Sequence, residues 1–342
     1  MKVTAKMIAD QLGLSTSTVD RALHNRGSVS PKTLKKVIEK AKEMNYQPNQ
    51  SASFLAKGKH ILVAFVFPEY PNYFWEEIEM GINRALKDIQ HYGFNIEIIK
   101  TPDSVAEQMK IVENIIESDD YNGLVFAPID STPFTNLIDK GVDKGFPVYT
   151  FNNDSPSSKR LFFVGADYLD SGRLAAELLD IFTNNPQKFA VITEEMSTFQ
   201  MQQKIIGFRE YMANRTTLDF VGPLKLNRYA FEKSISNLEK DLKNVDGIYV
   251  ACGALSEVAK GIKKMDLKKK PILIGHDINK EIYQNIRQDV ISATICQDPI
   301  YQGELITRIV FNHLMLEEKI NTEQNIVKLE IVTKGNAKYY IH

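Results

Sequence analysis

Between Thr4 and Met44 the apolar positions recur at three- and four-residue spacing in three short blocks, each opened by a residue able to cap a helix. Thr4 precedes a block in which Met7, Ile8 and Leu12 share a face, and Gly13 supplies the stop. Ser15 opens a second block, 16 to about 23, that turns Val19, Ala22 and Leu23 inward. Ser30-Pro31 starts a third, with Leu34, Val37, Ile38 and Ala41 inward; proline fits a first turn, where its missing N–H needs no partner. Two short helices across a Gly-containing turn predict a helix-turn-helix. From Ile61 the texture changes. Short apolar runs at 61–67, 95–99, 124–127, 148–151, 189–192, 247–250, 272–275 and 291–295 alternate with amphipathic segments such as 75–92, 106–116, 169–182, 203–212 and 302–316. Continuous runs are the mark of strands buried on both faces, and their alternation with helices predicts an open, parallel α/β architecture.

These blocks divide the chain into a three-helix head (1–47), a linker (48–59) and a body (60–342) large enough for two lobes, in keeping with the size of ordinary domains. The lobes are expected at about 60–158 with 293–318, and at about 159–290 with 322–342. With 43% hydrophobic and 25% charged residues the composition is that of a folded globular protein. The net charge of −1 hides an asymmetry: residues 1–60 hold 11 basic residues against four acidic ones, so the head is basic and the body acidic. A basic head points to a polyanionic partner for that part alone.

Several classes are disfavoured. The opening MKVTAKMIADQLG has no apolar run of signal-peptide length and no later stretch reaches the roughly 20 apolar residues of a membrane span, so no membrane contact and a cytoplasmic location are expected. Cys252 and Cys296 lie far apart in apolar, strand-like surroundings and read as core thiols. The histidines at 24, 60, 91, 276, 313 and 342 form no metal-binding spacing, and neither a G-x-S-x-G elbow nor a phosphate-binding glycine loop occurs, so neither metal, cofactor nor catalysis is expected. His276 adjoins Asp277, but neighbouring strand residues point to opposite faces, which favours a structural histidine over an acid/base pair.

On the second helix the outward residues Thr16, Ser17, Asp20 and Arg21 are small or polar, which suits entry into a major groove. The pattern alone also fits a three-helix protein-interaction module. The run VTAKMIADQLGLSTSTVDRALHNRGSVSPKTLKKVIEKAKEMNYQPNQSASFLAKG resembles the head of the lac-repressor family over its full length. The resemblance implies a DNA-binding surface of Thr4, Ser15, Thr16, Ser17, Thr18, Arg21, His24, Asn25 and Ser28, with Thr16 and Ser17 reading bases. It also implies a hinge helix over 49–56, including Asn49 and Ala52, that folds on DNA and wedges Leu55 into the minor groove. Two departures stand out: Ser51 and Ser53 make the hinge a poor isolated helix, and Asp20 stands where many members have serine, either accepting from cytosine or pairing within the head.

The body resembles periplasmic sugar-binding proteins of the ribose-binding type, through FPEYPNYFWEEIEMGI, APIDS, FNND, VGADYLDSGR, IGHDIN and ATICQDPIYQG. These segments fall at strand ends, where open α/β sheets bind ligands. The resemblance implies two doubly wound parallel-sheet lobes with a carbohydrate-like effector between them. Phe74 and Trp75 would stack on the ring, and Asn72, Asp130, Asn153, Asp277 and Gln297 would bind hydroxyls. Phe74 and Trp75 also fit a plain core, and Asp130 a helix cap. Gln202 stands where sugar binders often have arginine and Gly253 where they often have asparagine. The implied whole is a homodimeric transcription regulator, acting as a repressor on a roughly palindromic duplex operator, its effector an inducer or a corepressor. The alternative is a sugar receptor without DNA function; a nucleoside or phosphorylated sugar is the next effector class. No heptad pattern follows residue 316 to suggest a coiled-coil tetramer.

Overall fold

The computed structural model describes residues 3–23, 27, 29–46, 60–183, 188–195, 198–215 and 219–341. The chain divides into two compact units, the head and the body. In the head, α1 (Ala5–Leu12) starts at Thr4, whose hydroxyl accepts the Met7 N–H at 3.3 Å, and stops at Gly13, which takes the left-handed φ of 65° that a side chain would resist. α2 (Thr16–Leu23) follows, with the Ser15 hydroxyl accepting the Thr18 N–H at 3.2 Å. α3 (Pro31–Glu43) opens with Ser30 accepting from Thr33 at 3.2 Å. Ile8, Ala9, Val19, Ala22, Val37 and Ala41 form the buried centre. Ile38, expected inward, is 37% exposed, because Val37 one position earlier takes the inward-facing place on α3.

The body begins with β1 (Ile61–Pro68), α4 (Asn72–Ile89), β2 (Phe94–Thr101), α5 (Val105–Glu117), β3 (Gly123–Phe126), α6 (Ser131–Asp143), β4 (Val148–Phe151) and β5 (Phe162–Ala166). It continues through α7 (Tyr168–Phe182), β6 (Lys188–Glu194), α8 (Phe199–Ala213), β7 (Asp219–Leu226), α9 (Phe231–Asn237), α10 (Glu239–Leu242), β8 (Gly247–Val250), α11 (Leu255–Lys264) and β9 (Ile272–His276). It ends with α12 (Lys280–Arg287), β10 (Ala293–Cys296), α13 (Pro299–Leu316), β11 (Gln324–Val327) and β12 (Glu330–Val332).

The strands build two six-stranded sheets, ordered β11-β5-β4-β3-β1-β2 in lobe one and β12-β10-β9-β8-β6-β7 in lobe two. Every pairing is parallel except β10 with β12. The strand order reverses at β1 and at β6, and each reversal leaves a crevice at the carboxyl ends of its sheet. The chain crosses between the lobes after β5, after β10 and between β11 and β12. This revises the expected lobe limits. Residues 162–166 and 324–327 belong to lobe one and 293–296 to lobe two, because each crossing follows the strand instead of preceding it, while 330–332 lie in lobe two as expected.

Candidate functional site

The carboxyl ends of both sheets converge on one cleft of about 750 Å³, open to solvent. Lobe one lines it with Pro68, Tyr70, Pro71, Phe74 and Trp75 from the β1–α4 junction, Asp103 after β2, 127–129 after β3, and Asn152 and Asn153 after β4. Lobe two adds Glu194, Thr198, Gln200, Met201, Lys204, Arg228, 251–253, His276, Asp277 and Gln297. Asn152 (φ 56°) and Asp277 (φ 60°) leave their strands in the left-handed region. Such backbone costs a non-glycine residue on the order of 1 kcal/mol or more and recurs at binding sites.

Lobe one's wall is aromatic and continuous with its core. Trp75 stacks on Phe67 with centroids 5.0 Å apart, meets Phe74 and Phe151 edge-on at 5.2 and 5.9 Å, and donates its indole N–H to the Tyr70 carbonyl at 3.1 Å. Phe74 and Trp75 are each 4% exposed, so they are core residues that also bound the cleft.

Lobe two's wall carries buried ionisable groups. Burial pulls the Lys204 ammonium down to about 8, opposed by the Asp277 charge; its hydrogen-bond contact is Gln200 Oε1 at 3.5 Å, and it faces the Tyr168 ring at 5.5 Å. α7 and α8 touch backbone to backbone at Gly172 and Gly207, where any Cβ would fall 1.9 Å from a carbonyl oxygen, and this contact fixes Lys204 in place. Asp277 is pushed up to about 6 by burial, against the pull of Lys204 and of Gln297, whose amide donates to it at 3.2 Å. His276 is held well below its ordinary value by burial and by Lys204, and shares a 2.7 Å hydrogen bond with the Tyr249 hydroxyl, a structural role. Burial raises the Glu194 carboxyl, although Arg228 draws it back. Asp277 also faces a second cavity with Glu77, Asp298 and Glu330, where burial and then the charges of Asp277 and Asp298 push Glu77 up to about 7.

Five of the expected effector residues, Phe74, Trp75, Asn153, Asp277 and Gln297, come together in the cleft. Three do not line it. Asn72 is exposed and donates to Glu76 at 2.6 Å. Asp130 caps α6 by accepting from Thr132 at 3.2 Å. Gln202 lies on the exposed side of α8. That helix starts four residues earlier than its apolar pattern suggests, at Phe199, behind a Thr198 cap whose hydroxyl accepts from Met201, so Gln200, Met201 and Lys204 take the inward face. The Thr198 cap was the readable signal; nothing in the sequence marked Arg228, Glu194 or Asp103.

In the head, Thr4, Ser15, Thr16, Ser17 and Arg21 are exposed and Thr18 is half-buried. Ser15 Oγ lies 3.0 Å from Ser17 Oγ and 2.8 Å from Thr18 Oγ1, and Arg21 Nε donates to the Ser17 carbonyl at 3.2 Å. Asp20 is half-buried; burial, then its charge, raises the Tyr46 phenol. His24, Asn25, Ser28, Asn49, Ala52 and Leu55 lie outside the described residues.

Comparison with known proteins places both parts. Residues 63–318 match the family described as periplasmic binding protein domain, and 4–49 match bacterial regulatory proteins of the lacI family. The HTH-type transcriptional regulator DegA of Bacillus subtilis is 27% identical over 62% of this chain and 61% of its own length. MalR of Streptococcus pneumoniae is 30% identical over 37% of this chain and 39% of its own. The ribose operon repressor of Lactococcus lactis is 23% identical over 96% of this chain and 98% of its own. The alignments thus span less than two thirds of DegA and MalR but nearly all of the ribose operon repressor. Among solved structures, GanP, a glucose-galactose binding protein from Geobacillus stearothermophilus, superposes with a TM-score of 0.73 at 21% identity, over 81% of this chain and 99% of that one. AraP, an arabinose binding protein from the same organism, gives 0.67 at 21% identity, over 82% and 99%. The chain therefore belongs to the periplasmic binding protein domain family, which covers its body, while its head, residues 4–49, matches the bacterial regulatory proteins of the lacI family.

Proposed function

We propose that this chain is a sequence-specific DNA-binding transcription regulator, a repressor in its simplest form, whose operator affinity is set by a carbohydrate-like effector held between the two lobes. The observation that carries the reading is the union, in one chain, of a lacI-family head with exposed Thr16, Ser17 and Arg21 and a two-lobed body whose strand ends converge on one polar cleft. Relatives named as repressors of ribose operons over nearly their whole length support it. The cleft chemistry suits a polyol: Asp277, Gln297, Asn153, Asn152 and Gln200 offer planar groups that can bind adjacent hydroxyls, beside an apolar wall for the C–H face. Asn152 Nδ2 is buried without a partner, a donor available to such a ligand. In this reading two copies act together in the cytoplasm, so that dimer symmetry is mirrored in a palindromic operator. The effector acts by binding two lobe arrangements with different affinity.

Selection of genomic fragments by the purified protein at two salt concentrations, with Ser17→Ala alongside, tests the DNA half. A short palindrome, retained with steep salt dependence and lost by the variant, is the expected outcome. A thermal-shift screen of pentoses, hexoses and nucleosides tests the effector half. Stabilisation by a sugar without any selected DNA sequence would leave a sugar receptor and remove the regulator.

A further inference from the structure

The cleft is spanned by one guanidinium. Arg228 stands just past β7 in lobe two, its side chain 16% exposed, and Nε donates to Glu194 Oε2 of the same lobe at 2.7 Å, with Nη2 on the same oxygen. The opposite face of the fork belongs to lobe one: Nη1 reaches Asp103 Oδ2, just past β2, at 2.5 Å, and the guanidinium carbon lies 4.7 Å from the centre of the Tyr70 ring. Burial alone would weaken the Arg228 charge; Glu194 and Asp103 more than restore it. The same edge of the cleft shows how near the lobes come, since a Cβ built on Gly253 of lobe two falls 3.1 Å from Pro71 Cγ of lobe one. Other polar links between the lobes at the cleft are neutral: the Gln200 backbone N–H donates to Asn153 at 3.3 Å, its side-chain amide donates to Asn152 at 3.4 Å, and the Tyr168 hydroxyl at the start of α7 donates to the Asn152 carbonyl.

We propose that Arg228 is a positioning residue that latches the lobes together, Glu194 and Tyr70 aiming its guanidinium at Asp103 across the cleft. The fork of an arginine has five N–H donors in a plane, so it can hold one carboxylate from each lobe at once, which a lysine cannot do with the same geometry. A buried ion pair of this kind contributes little net stability but specifies one arrangement, because separating its members leaves a desolvated charge without a partner. Its two halves ride on different lobes, so the pair forms in one lobe arrangement and is absent from a wider one. The inference deepens the effector reading, on which its regulatory meaning rests: the latch sets how much of the lobe-closing free energy the protein supplies before any sugar contributes. Its test needs neither sugar nor DNA.

The full-length protein carrying Glu113→Cys on α5 and Lys243→Cys beyond α10, both exposed positions, can be labelled with a dye pair and read by single-molecule energy transfer. In every variant the native Cys252, which lines the cleft, and the buried Cys296 are replaced by alanine, so that only the two introduced thiols carry dye. Asp103→Asn and Arg228→Met are each expected to lower the ratio of narrow to wide lobe separations about tenfold, and the double variant to do no more than either single one. Gly253→Leu, which pushes on Pro71 without touching the ion pair, serves as the control that the assay detects opening. Unchanged separations in Asp103→Asn and Arg228→Met, beside a widened Gly253→Leu, would overturn the latch whatever their melting temperatures do. An effect of Arg228→Met that Asp103→Asn does not share would also overturn it, since the arginine would then act within its own lobe.

Discussion

The two walls of the cleft are built on the same topology and do different physical work. Lobe one presents Pro68, Tyr70, Pro71, Phe74 and Trp75, an apolar face pinned by the same ring contacts that fill its core, with Asp103 as its charge at the rim. Lobe two presents Glu194, Lys204, Arg228, His276 and Asp277; burial shifts Glu194, Lys204 and Asp277 toward neutral pH and pushes His276 well below its ordinary value. The shape of the first wall is set by its ring packing. The second depends on how each buried charge is compensated, so its affinity is sensitive to single substitutions and to pH.

The largest effect expected is on stability, in lobe one. Trp75→Ala deletes a side chain packed against Phe67, Phe74 and Phe151 and should lower unfolding free energy by about 3–5 kcal/mol in denaturant titration. A loss below about 1 kcal/mol, with sugar affinity reduced, would make Trp75 a ligand platform apart from the core and dissolve the contrast between the walls. In lobe two, Asp277→Asn should instead spare the fold and weaken the sugar found in the thermal-shift screen, by about 1.5–3 kcal/mol if a charged acceptor is lost, measured by calorimetry. The same carboxyl gives a pH signature. Its folded pKa is raised to about 6 from an ordinary 3.8, so its contribution to stability is fully present below the ordinary value and lost as pH rises through about 6. Lys204, lowered to about 8, acts in the other direction: its contribution is present above the ordinary 10.5 and lost as pH falls through about 8. Stability measured between pH 4 and 7 should therefore fall less steeply with rising pH in Asp277→Asn than in the parent. Parallel curves would mean that Asp277 is ionised at its ordinary pH.

What could be read from the sequence follows the same physical divide. The central strands β1, β3, β4, β6, β8, β9 and β10 are buried on both faces and announce themselves as apolar runs; the edge strand β2 also reads as one, whereas β5 (FFVGA), central and equally buried, does not stand out. The edge strands β7, β11 and β12 do not: Gln324, Asn325 and Ile326 are exposed, and β7 is mostly half-buried around Gly222-Pro223. The lobe crossings were misplaced because they occupy only a few residues, with no change of composition to mark them. In the site, residues at strand ends were legible from position, as Asn153, Asp277 and Gln297 illustrate. Lys204 in the run QMQQKIIGF looks like an ordinary surface lysine, and only the packing of α7 on α8 buries it.

The smallest effect expected tests that packing at its most sensitive point, the register of α8. Gln200 faces the cleft and contacts Asn152 and Asn153 across it, while Gln202, two residues on, lies some 200° further around the helix on the exposed side. A neutral side-chain hydrogen bond contributes about 0.5–1.5 kcal/mol net, so Gln200→Ala should weaken sugar binding by roughly twofold to tenfold. Gln202→Ala should leave it within about twofold, as exposed substitutions usually do. The ratio of the two affinities is informative even if both are small, because both variants remove the same groups from the same helix. A larger loss at Gln202 would mean that α8 presents the face that its apolar pattern suggested. Lys204 would then leave the cleft with Gln200, and lobe two would lose the buried cation that distinguishes its wall from that of lobe one.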